Sequence, residues 1–152
     1  MGYKMYGIPL KKLCDEKRNG PLESFISDLD IDCSKEIDCR YPTVQDLKNS
    51  IIAADLDIVL ELNINFNEED GWCCTIEEDN GSYTIISADK IKSKTEPITE
   101  ILSFYKSNGE TITKVLFELE KIIGPILYYS DTGLMTMINK EKTPEQVLKE
   151  MA

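Results

Sequence analysis

Carboxylates are the side chains with which this sequence could do chemistry. Six of them lie in the stretch NINFNEEDGWCCTIEEDNGSY, from Asn63 to Tyr83, beside the only tryptophan and two adjacent cysteines. No basic residue accompanies them. The chain contains no histidine, so Cys-His and Ser-His-Asp nucleophiles are excluded together with imidazole metal ligands. Neither the dinucleotide pattern G-x-G-x-x-G nor the phosphate loop G-x-x-x-x-G-K-[ST] occurs. What remains is chemistry that carboxylates perform with a cation, or recognition of a positively charged partner.

Cation sites fare poorly when each candidate is taken in turn. The run DLDID at 28–32 has the spaced acids of a calcium loop, but Cys33 stands at the sixth position in place of glycine and Cys39 at the twelfth in place of glutamate. Glu68, Glu69 and Asp70 are consecutive, and neighbours in sequence converge on one ion only where the loop forces them to. Cys33, Cys39, Cys73 and Cys74 fit no standard zinc spacing. The sequence therefore predicts no metal, no cofactor and no catalytic residue.

The distribution of charge says more. The formal net charge is −11, which opposes direct contact with nucleic acid or anionic lipid. From Lys48 to Lys90 there is no intervening Lys or Arg, yet the interval holds ten of the 28 acids, leaving the rest of the chain close to neutral. Five unevenly spaced cysteines and no signal-peptide pattern predict reduced thiols in a cytoplasmic protein. No apolar run approaches the roughly 20 residues that span a bilayer.

The elements that must position these residues follow from periodicity and caps. The 152 residues suit one domain, residues 1–152. Residues 1–40 are the least legible: MYGIPL reads as a short strand, and Leu22, Phe25, Ile26 and Leu29 have helical spacing. Thr43 caps a helix whose Val44, Leu47, Ile51 and Ala54 form one apolar stripe, with Asp46 completing the cap. From Asp57 the period becomes two, with Ile58, Leu60 and Leu62 inward and Glu61, Asn63 and Asn65 outward. Trp72–Glu78 and Ser82–Ala88 flank DNG as a hairpin. With Asn80 and Gly81 as its loop, Trp72, Cys74, Ile76, Tyr83 and Ile85 share a face.

Thr95 and Pro97 are expected to open a helix bearing Ile98, Ile101, Leu102 and Tyr105. A second helix through Ile112, Val115, Leu116, Leu119 and Ile123 stops at Gly124 and Pro125. ILYYS and LMTMI pair across DTG, and Thr143, Pro144 and Gln146 start a last helix. The prediction is an α+β domain, an antiparallel sheet built from hairpins with helices packed against it.

The expected function follows from charge placement, small size and absent catalytic groups. It is a small acidic protein inhibitor of the immunity-protein or antitoxin kind, not an enzyme, that blocks a basic partner such as a nuclease-type toxin or other nucleic-acid-binding protein. The expected partner surface is Glu61, Asn63, Asn65, Glu68, Glu69, Asp70, Trp72, Glu77 and Asp79. Within it Trp72 has two readings, a packed core residue or a partly exposed anchor. The competing functions are a divalent-metal-dependent enzyme or ligand-binding domain using scattered acids, and a generic interaction domain whose acidity only keeps it soluble.

Overall fold

The computed structural model describes residues 4–20, 31–63, 71–77, 81, 83–105 and 109–152. Its strands are β1 (Lys4–Pro9), β2 (Asp57–Asn63), β3 (Gly71–Glu77), β4 (Tyr83–Asp89), β5 (Leu102–Tyr105), β6 (Ile126–Ser130) and β7 (Met135–Ile138). They form one sheet in the order β2-β3-β4-β5-β1-β6-β7, with every neighbouring pair antiparallel. The helices are α1 (Leu10–Asn19), a 3-10 helix (Cys33–Asp38), α2 (Val44–Ala53), α3 (Gly109–Ile123) and α4 (Pro144–Glu150). The α+β class is as the sequence predicts.

Local signals account for the helix boundaries. Thr43 and Asp46 form a reciprocal capping box at α2, and Thr143 and Gln146 form the same box at α4 with Pro144 in its first turn. Each box satisfies two backbone donors that the first turn leaves free. Gly124, with φ +96°, ends α3, and a side chain there would collide with the Cys39 sulfur, 2.5 Å from where its Cβ would sit.

The helices cover the sheet unequally. On one face α2, α3 and α4 bury Val44, Leu47, Ile51, Ile112, Leu116, Leu119 and Val147 against Trp72, Ile76, Ile86, Phe104 and Tyr128. Gly7 in β1 lets this layer come close, since a Cβ there would stand 3.3 Å from the Phe104 ring. On the other face, among the described residues, α1 covers one end of the sheet, where Leu13 packs on Ile8 and Leu127.

Four expectations are overturned. The helix predicted after Thr95 is instead the strand β5, a central strand whose Leu102 and Phe104 are buried between β4 and β1. Its residues satisfy a period of 2 as well as 3.6, and the vacant slot in the sheet decides between them. The β3–β4 register is shifted by one residue: Glu77 faces Tyr83 and Cys74 faces Ile86, so five residues separate the strands rather than two. That slip buries Thr84, Ile86 and Ala88 and turns Tyr83 and Ile85 to the opposite face.

In β2 the register jumps between Ile58 and Leu60. The bulge at Val59 reverses the alternation beyond it, so Leu60 and Leu62 point away from the helices and Glu61 points toward them. Finally, Cys14 and Cys33 are joined as a disulfide that ties α1 to the 3-10 helix, against the expectation of free thiols. Cys39, Cys73 and Cys74 remain unpaired. The helical reading of Leu22 to Leu29 lies outside the described residues.

Candidate functional site

The bulge in β2 determines what Glu61 does. Turned inward, its carboxylate accepts the indole N–H of Trp72 at 2.9 Å and meets Lys48 Nζ at 3.0 Å and Lys94 Nζ at 3.2 Å. Lys48 comes from α2 and Lys94 from the turn after β4, on either side of the base-free interval. The hydrogen bond from Trp72, then those from Lys48 and Lys94, outweigh burial and hold the Glu61 carboxyl down at about 2. This carboxylate is engaged within the fold, with its side chain 25% exposed.

Trp72 is likewise removed from the expected surface. It is 1% exposed, the largest fully buried side chain, so of its two readings the packed core is the one observed. Beside it burial pushes the Cys74 thiol up to about 12, while Cys73 lies on the opposite face. With Cys33 in the disulfide and Cys73 and Cys74 facing apart, the four cysteines do not converge as a zinc site requires. Among the described residues no three carboxylate or thiol side chains gather at one point.

Of the remaining expected contacts, Glu77 is exposed. Asn63 pairs with Trp72 in the β2–β3 backbone register. Asn65, Glu68, Glu69, Asp70 and Asp79 lie outside the described residues.

What the register does assemble is a different surface, on the face that α1 leaves open. One row runs across five strands as Leu60, Thr75, Ile85, Tyr105 and Lys4. The next row begins Leu62, Cys73, Ser87, Ser103 and Tyr6. Leu60 is 52% exposed and Tyr83 47%. Toward the β3–β4 turn, Asp57 stands directly opposite Glu77, and both are exposed with no cation paired to either among the described residues. Like charges directly opposite on neighbouring strands repel and destabilise the sheet.

At the centre of the face, Lys4 Nζ lies 5.4 Å from the Tyr6 ring centre and 5.2 Å from that of Tyr105. Tyr6 in turn stacks on Tyr129 at 4.9 Å. The arrangement is an aromatic middle around the Lys4 ammonium, with apolar side chains beside it and a carboxylate pair at its margin.

Sequence reasoning missed Leu60, Leu62, Tyr83 and Ile85 as surface residues because it assigned them inward. One signal was present: Ile58, Val59 and Leu60 are three successive apolar residues, which a strictly alternating strand does not need. Fold and surface together describe a small antiparallel α+β protein with one sheet face that the helices among the described residues leave half open. Searches of protein-family models, curated proteins and solved structures find no match to this chain.

Proposed function

We propose that the chain is a binding protein, an acidic inhibitor of the immunity-protein or antitoxin kind, that receives a basic protein on the open sheet face. The observation that carries this reading is the Asp57–Glu77 pair. Two exposed carboxylates kept opposite each other weaken the strand pairing they sit on. A cationic partner relieves that repulsion on binding, and the overall charge of −11 steers such a partner in. Leu60, Tyr83 and Ile85 then supply the apolar contact behind the charged margin.

This reading keeps the acidic recognition expected from the sequence but moves its centre from Glu61 and Trp72 to Asp57, Glu77 and the open face. It assigns no catalytic role, consistent with a chain that lacks histidine. The expected cytoplasmic location rested on reduced thiols, and the Cys14–Cys33 bond supports an oxidising compartment instead. No helix among the described residues is long and apolar enough to cross a membrane.

The test is capture from source cells with the native chain and with a variant carrying Asp57→Asn and Glu77→Gln, followed by association kinetics with the purified captured protein. A basic protein should bind the native chain, lose its own activity on binding, and associate more slowly as salt rises. The double variant should be no less stable, because repulsion is removed, and should associate more slowly. Equal association of the two, with the same salt dependence, defeats the proposal.

A further inference from the structure

A cavity of about 980 Å³ lies at the opposite end of the molecule from β2, between the 3-10 helix, the end of α3 and the segment after β7. Two backbone bonds shape it: Arg40 N–H donates to the Ile123 carbonyl at 3.2 Å, and Leu10 N–H donates to the Pro125 carbonyl at 2.8 Å. Its apolar lining includes Ile37, Ile122, Pro125 and Met137. Ile37 is 90% exposed, a large apolar side chain held at the rim. The volume falls within the range of roughly 300–1,000 Å³ typical of small-molecule sites.

Glu120 of α3 also lines this cavity, and it is only 5% exposed. The other carboxylates that the fold shields have partners. Glu61 has Trp72 and two lysines, Asp46 has Arg40 and the Thr43 backbone, and Asp15 has Tyr41, Lys11 and Arg18. Glu120 has no hydrogen-bond partner among the described residues, although it is the most buried of the four, Asp46 being 8% exposed. Its oxygens are not sealed off from solvent but open to the cavity, so a donor from a ligand seated there would meet a carboxyl group that the fold itself leaves without one. Burial raises its pKa, against the smaller opposing influence of Lys140 and Lys121.

We propose that the cavity binds an organic cation, a ligand whose primary ammonium or guanidinium group donates to Glu120 while its apolar chain lies against Ile37, Ile122 and Met137. The lysines at the rim act on Glu120 only at a distance, and none forms an ion pair with it among the described residues. Lys121 is engaged with Glu118 at 3.1 Å, and Lys35 and Lys140 are exposed. Asp38 and Glu141 line the same opening and add to the attraction for a cation. This site is separate from the open sheet face, and neither proposal depends on the other.

Isothermal titration with n-hexylamine, n-hexanol and hexanoate, all of one chain length, tests the assignment. Hexylammonium should bind the native chain, and Glu120→Gln, checked for native circular dichroism, should weaken it by about tenfold or more, the scale of a lost charge-assisted hydrogen bond. Equal binding of the alcohol would reduce the site to an apolar hole. Preference for hexanoate would make it an anion site of Lys35 and Lys140. Either result overturns the proposal, as does failure of the amine to bind at all or an undiminished affinity in Glu120→Gln.

Discussion

Replacing Glu61 by Gln tests the inward carboxylate most directly. Gln keeps an oxygen that can accept the Trp72 indole N–H, so the change removes charge while leaving that buried donor satisfied. The Glu61 carboxyl drops from 4.5 to about 2, a shift worth about 3 kcal/mol at 1.36 kcal/mol per unit. Part of that comes from the bond to Trp72, which Gln retains, so the expected loss is about 2 kcal/mol near neutral pH. Because the folded value is depressed, this stability is present above the ordinary carboxyl range and disappears as pH falls toward about 2. Urea unfolding of both proteins across that range reads the difference. A gap below about 0.5 kcal/mol at neutral pH, within the spread of ordinary surface substitutions, refutes the argument. So does a gap that persists unchanged in acid.

Two other outcomes follow from contacts already described. Reducing the Cys14–Cys33 bond, or replacing both cysteines by Ser, should lower stability by about 3 kcal/mol, the entropy cost of freeing a loop of this length, measured by urea midpoint with and without dithiothreitol. An unchanged midpoint would mean the bond does not form in solution. Glu120, whose folded pKa is raised, costs stability as pH climbs above the ordinary carboxyl value, so the melting temperature of Glu120→Gln should gain on the native chain as pH rises from that value. A constant difference between the two melting curves contradicts the burial argument.

How far the sequence could be read depended on the range of the forces involved. The capping boxes at Thr43 and Thr143, the stop at Gly124 and Pro125, and the hairpin around Gly133 are settled by atoms a few residues apart, and all four were legible. Leu102–Tyr105 became a strand because β1 and β4 leave a place for it, which lies far from it in sequence. The faces of β2 and β3–β4 depended on single-residue register, where one step inverts every side chain. Glu61 was misread for a third reason: its cations come from outside the interval whose lack of bases made it look unpaired. Charge counted along a chain is blind to bases that folding brings in from the flanks.

The place of β1 in the sheet bears on how the molecule is made. Among the described residues the β2-β3-β4-β5 meander and the β6-β7 hairpin share no strand pairing, and Lys4–Pro9 is the strand that joins them. Its partners begin at Leu102 and Ile126, so on the ribosome this segment waits for roughly 100 further residues, on the order of 5–20 s at ordinary elongation rates. Through that interval Met5 and Ile8 have no mates, while β2, β3 and β4 can already pair among themselves. The last cooperative step is then insertion of the first-made strand between two preformed parts, which predicts slow folding governed by a long closure rather than by helix formation. With the Cys14–Cys33 bond first removed, a cut after α1 would divide the protein into a short peptide and a sheet lacking this interior strand, whose reassembly would report directly on that step.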